Sequence, residues 1–551
     1  MYKRQILYYV LIILIIAVSL IISNIKSNIK LKSTLTSSFG KVPEQKKCEF
    51  ESIGSYHRYK KKHLGNSETI DSITWDDLDM NLVFKRINTS LTSIGEEYMY
   101  DSLHQVQNNE DILLKRERLI TFLDNNPDDR LKLQMDLAKS GKHNYNGIAS
   151  FIFEPSTKSL KYNMLYNILT IIPIICIITA FFNMQVGILC LILSGILNGF
   201  VYYGTKAKIE SELSAIRYFS SILQCLNKLC KLKSFETAPF FDELKKSFNI
   251  FKPLRTKLSN ILQNDFSDMA VFAEYIKIIF LVDIRNYNKA IGMISKYSDD
   301  FHTLYKCMGE IDMAICILSF RKSLPFYCLP VFHNENSVYL ENLYHPLLSS
   351  PVPNSGKINN DSIITGSNAS GKSTFIKALA INGILAQTIY TCAASNFKLR
   401  HSLIITSMAV RDNISEGDSY FIKEIKSLKR ILDTVQGTPC TCFVDEILKG
   451  TNTIERIAAS SSVLKYLHSA DCLCITASHD IELTNILKDE YDNYHFCEQI
   501  SDDGIQFDFK LKQGPSQTRN AIKLLHYMNF DSHIVEDAET MVDKFIKSNE
   551  W

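Results

Sequence analysis

Residues 363 to 374 read Ile-Ile-Thr-Gly-Ser-Asn-Ala-Ser-Gly-Lys-Ser-Thr, and no other run in the chain constrains the fold as much. Gly366, Gly371, Lys372 and Ser373 fill every required position of G-x-x-x-x-G-K-[ST], a loop that curls backbone N–H groups around phosphate. Such a loop works between a strand that ends at it and a helix that begins from it, because the helix N-terminus supplies positive partial charge. Apolar β-type residues precede it, and helix formers from Phe375 to Ala386 follow. Lys372 would add a mobile point charge, and the Ser373 hydroxyl a Mg²⁺ ligand.

Two further apolar runs end in polar residues. Cys440-Thr-Cys-Phe-Val-Asp-Glu446 reads as a strand closing on two carboxylates. Asp445 is placed to hold Mg²⁺ through water, and Glu446 to orient or deprotonate an attacking water. Asp471-Cys-Leu-Cys-Ile-Thr-Ala-Ser-His479 reads as another buried strand, ending in a histidine that can sense a γ-phosphate. With a helix between them (Ile454 to His468), these strands imply a parallel sheet with right-handed crossovers.

At 551 residues the chain has room for two or three domains. Its formal net charge of +2 gives no global attraction to nucleic acid or membrane. Any such affinity must be local, as at Arg58-Tyr-Lys-Lys-Lys-His63, a run that reads equally well as a solvated helix face. The fourteen cysteines are scattered through apolar segments, which suits a reducing compartment. Cys440-x-Cys442 and Cys472-x-Cys474 have the look of zinc half-sites. Alternate residues of a central strand share one buried face, however, so core packing is the better reading.

Three segments have the length and apolarity of membrane spans: Ile6 to Ser23, Leu165 to Phe182 and Val186 to Tyr203. The last two, joined by Asn-Met-Gln, form a helical hairpin with Tyr166, Tyr202 and Tyr203 near its ends. Pro173 would kink its first helix. Lys26, Lys30 and Lys32 follow the first run and place that side in the cytoplasm, with an uncleaved anchor preferred to a signal peptide. Residues 24 to 164 and 204 to 551 would then share the cytoplasmic side.

The motifs resemble those of the MutS mismatch-repair family. Thr365-Gly-Ser-Asn-Ala-Ser-Gly-Lys-Ser-Thr374 is similar to its T-G-P-N-M-x-G-K-S-T, keeping Asn368 but with Ser367 and Ala369 for Pro and Met. Asp445-Glu-Ile-Leu-Lys-Gly-Thr-Asn-Thr-Ile-Glu-Arg456 follows its D-E-[IL]-G-x-G-T run, with Gly450 and Thr451 kept and Leu448 for the first glycine. Ala477-Ser-His479 stands for A-T-H. Arg411 to Ile422 resembles the segment whose Ser, here Ser419, opens a helix facing the other subunit's nucleotide. Asp79 to Glu96, Glu310 to Ala314, Pro330 to Pro346 and Thr518 to Lys547 resemble the family's core, core-to-ATPase junction and C-terminal helix-turn-helix.

The resemblance implies an α/β P-loop ATPase domain, a parallel sheet flanked by helices, joined to an all-α core and lever domain, to which the apolar runs add three transmembrane helices. The expected order is an anchor (1–25), a linker (26–75), a first core segment (76–160) and the membrane hairpin (161–205). Core and lever helices (206–330), the ATPase (331–515) and a dimerising helix-turn-helix (516–551) follow. ATP would bind Gly366, Ser367, Asn368, Ala369, Ser370, Gly371, Lys372, Ser373 and Thr374, with Mg²⁺ on Ser373 and Asp445. Glu446, His479 and the partner's copy of Ser419 would complete the chemistry in a homodimer. Residues 26–75 are too few for a mismatch-reading domain and contain no Phe-x-Glu to wedge against a base. The expected function is a membrane-anchored MutS-like ATPase acting on DNA. The alternative is an ATP-driven membrane machine that moves a protein or membrane partner without DNA.

Overall fold

The computed structural model describes residues 2–44, 48–65, 69–142, 147–154, 160, 163–259, 268–367, 370–408, 420–501, 504–516, 522, 525, 528 and 530–548. The chain forms two compact units and passes between them several times. The first comprises Met1–Asn66, Ile87–Asp101 and Leu114–Ser323; the second Ser67–Arg86, Ser102–Leu113 and Leu324–Trp551.

The first unit is helical and is organised around the helix Ser298–Lys322, buried along almost all of Met308–Arg321. Burying a helix on every side leaves its charged residues without water, so each needs a partner. Glu310 takes two hydrogen bonds from the buried Arg116 guanidinium (2.9 and 2.7 Å) and one from Tyr98 Oη (2.8 Å). Asp312 accepts from the Thr92 backbone N–H (2.9 Å) and its hydroxyl (2.6 Å), fixing the turn that starts the helix Ser93–His104. Gly95 is required there, since a Cβ would lie 2.3 Å from an Asp312 carboxylate oxygen. The Glu310–Ala314 segment thus supplies the polar hub of the helical unit.

The stretch 26–75, expected as a linker, is largely helical. The helix Tyr2–Ser38 runs through its start, and Ser55–Leu64 and Ser72–Asp77 follow. Tyr56 and Trp75 are buried, which anchors these short charged helices in the two units.

Two helices among the described residues, rather than the three expected, are long and apolar enough to cross a membrane: Met164–Phe182 and Met184–Glu210. The remaining expected span lies within Tyr2–Ser38, and its side chains up to residue 17 fall outside the described residues. In the hairpin, Asn183 caps the second helix by accepting from the Val186 N–H at 3.2 Å. Gly187 lets the helices touch, for a Cβ there would come within 2.4 Å of Ala180. Ile171, Ile174, Ile178, Leu189 and Leu193 are exposed.

The second unit carries two sheets. Strands β1 (Val331–His333), β2 (Val338–Leu343), β3 (Asn354–Ile358) and β5 (Asn396–Arg400) form a four-stranded sheet in the order β1-β5-β2-β3. Strands β4 (Ser362–Thr365), β6 (Leu403–Ser407), β7 (Cys440–Asp445), β8 (Cys472–Ala477), β9 (Asp492–His495) and β12 (Lys512–Gln513) form the central sheet, ordered β12-β9-β4-β8-β7-β6. All its pairings are parallel except that of β12 with β9. A hairpin of β10 (Glu498–Ser501) and β11 (Gly504–Phe507) lies between them in sequence. Strands β4, β7 and β8 are buried at every residue, which is why they read as continuous apolar runs. Cys440, Cys442, Cys472 and Cys474 are core residues on two neighbouring strands.

Strand β6 is the sheet edge, and the segment from the first half of the chain covers its end. The Thr406 N–H donates to Thr74 Oγ1 (3.1 Å), while Asp77 accepts from the Thr406 hydroxyl (2.7 Å) and the Met408 N–H (3.0 Å). Arg430 bonds both Asp71 and the Thr406 carbonyl. At the C-terminus the helix Ser532–Ser548 is described, whereas most of 517–529, the first half of the expected helix-turn-helix, lies outside the described residues.

One buried acid makes the helical unit sensitive to pH. Burial pushes the Glu97 carboxyl up to about 8, against a hydrogen bond from Tyr305 that favours ionisation. A carboxyl kept protonated by folding contributes fully below its ordinary 4.5 and loses that contribution as pH rises towards 8. Glu97→Gln should therefore gain several degrees in Tm over the parent between about pH 6 and 9. Parallel pH profiles for the two proteins would contradict this.

Candidate nucleotide site

The central sheet brings three loops to one edge. In register, Ile364 of β4 and Asp445 of β7 both pair with Ala477 of β8. The loops after these strands are stitched together by the main chain: the Glu446 N–H donates to the Ala477 carbonyl (3.0 Å), and the Ser478 N–H to that of Ile364 (3.1 Å).

The glycine-rich loop that begins at Gly366 leaves β4 at Thr365. Gly366 has φ +143°, and a Cβ there would lie 2.4 Å from the Phe496 carbonyl oxygen, so the position admits glycine alone. Gly371, φ +107°, caps the helix Lys372–Ile389. The Lys372 ammonium folds back over the loop and donates to the carbonyls of Gly366 (2.6 Å) and Ser367 (2.9 Å). Ser373 and Thr374 are exposed on the first turn, and Ser370 is buried. Asn368 and Ala369 lie outside the described residues, as does Ser419.

Lys372 stands at one end of a row of charged groups. Its Nζ is 3.5 Å from His479 Nε2, which is 3.1 Å from Glu446 Oε1; the other Glu446 oxygen pairs with Lys449 Nζ at 2.7 Å. A carboxylate can only accept, so His479 Nε2 carries the proton in that contact. Burial, then Lys372 and Lys449, hold the His479 pKa below its ordinary value, and the ring is neutral at physiological pH. Glu446 itself has φ +60°, a left-handed conformation that turns the chain sharply off β7.

Asp445 points inward. It is 8% exposed, and its Oδ1 is buried without a hydrogen-bond partner among the described residues. A buried, unpaired carboxylate oxygen is costly, which fits a site built for a cation. With the Ser373 hydroxyl exposed on the first turn of the helix, the donors are hard oxygens of the kind Mg²⁺ takes together with phosphate.

Three supports were not legible in the sequence. Arg456 grips Asp480, the residue after His479, with two bonds (2.9 and 2.6 Å). Glu424, on the helix Tyr420–Thr434, accepts from the Lys449 N–H (3.2 Å), and Phe421 on that helix packs at Gly450. Lys449 completes the row. The Arg456 and Glu424 pairings join residues more than twenty positions apart, so no local pattern announces them.

Residues 362–546 match the family model described as MutS domain V. Over that stretch the chain is similar to the MutS family. The DNA mismatch repair protein MutS of Natronomonas pharaonis is 27% identical over 248 residues, covering 43% of this chain and 29% of that protein. MutS protein homolog 4 of Homo sapiens is 29% identical over 276 residues, covering 46% and 29%. The MutS of Petrotoga mobilis is 26% identical over 294 residues, covering 50% and 35%. The chain therefore spans about a third or less of the length of these relatives.

Departures from the MutS motifs have visible consequences. Leu448, where the motif has glycine, sits at φ +55°, a conformation that costs a side chain about 1–2 kcal/mol. Its side chain joins the core beside β7, which offsets that strain. Arg456 makes the clamp on Asp480.

The charge row can be tested directly. Lys449→Met removes a cation near His479, so the imidazole pKa should rise towards its ordinary 6.5, read by NMR titration of labelled histidine. A fall, or no movement, would show that Lys449 does not act on the ring.

Proposed function

We propose that this chain is a membrane-anchored, MutS-like ATPase that hydrolyses ATP at composite sites of a homodimer. The observation that carries this reading is the meeting of Lys372, His479 and Glu446 at the ends of parallel strands, beside the unpaired Asp445 oxygen. Backbone N–H groups of Gly366–Thr374 and Lys372 would bind the triphosphate. Ser373 and Asp445 would hold Mg²⁺, which supplies charge neutralisation on phosphate oxygens. Glu446 would align an attacking water and draw its proton. Neutral His479 would hold the Glu446 carboxylate in place and report on the phosphate beside Lys372. Ser419 of a second copy would close the site. Turnover would shift the helices within 251–322 against the ATPase fold.

DNA is the proposed substrate surface, on the strength of relatives named as DNA mismatch repair proteins. A second reading is favoured by the hairpin: a membrane machine that works on a protein or membrane partner without DNA. Its two apolar helices have mostly exposed surfaces, as a lipid-facing pair requires. On either reading the ATPase and core would lie in the cytoplasm.

The detergent-solubilised chain should hydrolyse ATP in a Mg²⁺-dependent manner, with Glu446→Gln lowering kcat by roughly 10²-fold or more while ATP still binds. Unchanged turnover in that variant would remove Glu446 from the chemistry. If DNA is the surface, log affinity for duplex or branched DNA should fall steeply against log salt. A flat line, with turnover indifferent to DNA, would favour the membrane machine.

A further inference from the structure

Cys328 lies in the segment 324–330, through which the chain passes from the helix Ser298–Lys322 into the second unit. Cys392 lies just beyond the C-terminal end of the phosphate-loop helix. The two form an isolated antiparallel bridge: the Cys328 N–H donates to the Cys392 carbonyl, and the Cys392 N–H to that of Cys328, both at 3.0 Å. Residues that exchange both bonds have Cα atoms about 5.5 Å apart, with side chains on the same face. That separation is the commonest one across disulfides, roughly 5.5–6 Å.

We propose that Cys328 and Cys392 are an oxidation site, joined by a disulfide when the protein meets hydrogen peroxide, and that this bond slows nucleotide turnover. Cys328 is partly exposed and Cys392 fully buried, so the former meets the oxidant and the latter resolves the product. The Cys392 thiol also holds the Cys328 pKa below its ordinary value, raising the share of reactive thiolate. Cys442, through Cys472 beside it and then burial, and Cys474, through burial, have thiol pKa values pushed well up and are inert by comparison.

The Cys328 thiolate attacks one peroxide oxygen; the O–O bond breaks, hydroxide leaves and a sulfenic acid remains. The Cys392 sulfur, giving up its proton, then attacks the Cys328 sulfur; the S–O bond breaks and hydroxide leaves with that proton as water. Two thiols and one peroxide become one disulfide and two waters.

The bond would make permanent a junction that is otherwise held by hydrogen bonds. Tyr344 Oη donates to the Phe326 carbonyl (2.6 Å), and its N–H to that of Ala393 (3.0 Å). The Ala393 N–H in turn donates to Asn382 of the phosphate-loop helix (2.6 Å). A staple at Cys328–Cys392 would thus tie the incoming segment to the helix that begins at Lys372. This regulatory half rests on the ATPase reading above; the oxidation chemistry does not.

The test uses the full chain in detergent, treated with hydrogen peroxide, alkylated and peptide-mapped without reduction, with ATP turnover measured in parallel. We expect a linked peptide joining Cys328 to Cys392, absent from Cys328→Ser, and turnover falling by roughly threefold or more. Dithiothreitol should restore it, and Cys328→Ser should keep its turnover through the same treatment. Absence of the linked peptide overturns the proposal. So does its formation without loss of turnover, or an equal loss in Cys328→Ser. A reduced protein with no turnover overturns the ATPase reading and the regulatory half with it, while the peptide map still decides whether the pair oxidises.

Discussion

The site depends on three parallel strands ending at the same level. Ile364, Asp445 and Ala477 lie across from one another in adjacent ladders, so the loops beyond them share one edge of the sheet. That topological fact converts three separate sequence motifs into one cluster of Lys372, His479, Glu446 and Asp445. It also explains the cost tolerated there: Glu446 and Leu448 occupy left-handed conformations because the chain must turn at once on leaving β7. The main-chain bonds from Glu446 and Ser478 into the neighbouring strand ends hold that turn in place.

In the helical unit the corresponding constraint is a helix buried from Cys307 to Arg321 with charged residues on it. Arg116 satisfies Glu310, and the Thr92 turn satisfies Asp312, so each acid fixes another part of the chain. Removing one partner would leave a buried charge uncompensated, which is far more costly than never having had the pair. Segments 67–86 and 102–113 meanwhile belong to the second unit, where Thr74 and Asp77 occupy polar groups at the end of the edge strand β6. The strand whose end leads towards Ser419 is therefore held by residues more than 300 positions earlier in the chain.

Much of this was legible in the sequence where chemistry is local. A G-x-x-x-x-G-K-S spacing points to a loop between strand and helix, and an unbroken apolar run to a buried parallel strand, which is why Gly366–Thr374, Asp445, Glu446 and His479 could be expected at neighbouring strand ends. The Cys-x-Cys pairs read correctly as core because alternate strand residues share a face. Pairings such as Arg456 with Asp480, Glu424 with the Lys449 N–H, and Asp77 with Thr406 were not legible, because the fold rather than the spacing creates them. The helices within 26–75 were missed for a related reason: Ser55–Leu64 is rich in charge, and its buried Tyr56 acquires meaning only from the helices it packs against.

The claim on which the rest turns is that the Gly366–Thr374 loop holds a triphosphate through Lys372. Equilibrium binding of ATP with Mg²⁺, compared between the parent chain and Lys372→Ala, tests it most directly. Saturable binding that weakens by roughly tenfold or more without Lys372 is the predicted result, corresponding to the loss of a charge-assisted contact of about 1.4 kcal/mol or more. Equal affinity in the two proteins, with both folded, would contradict it.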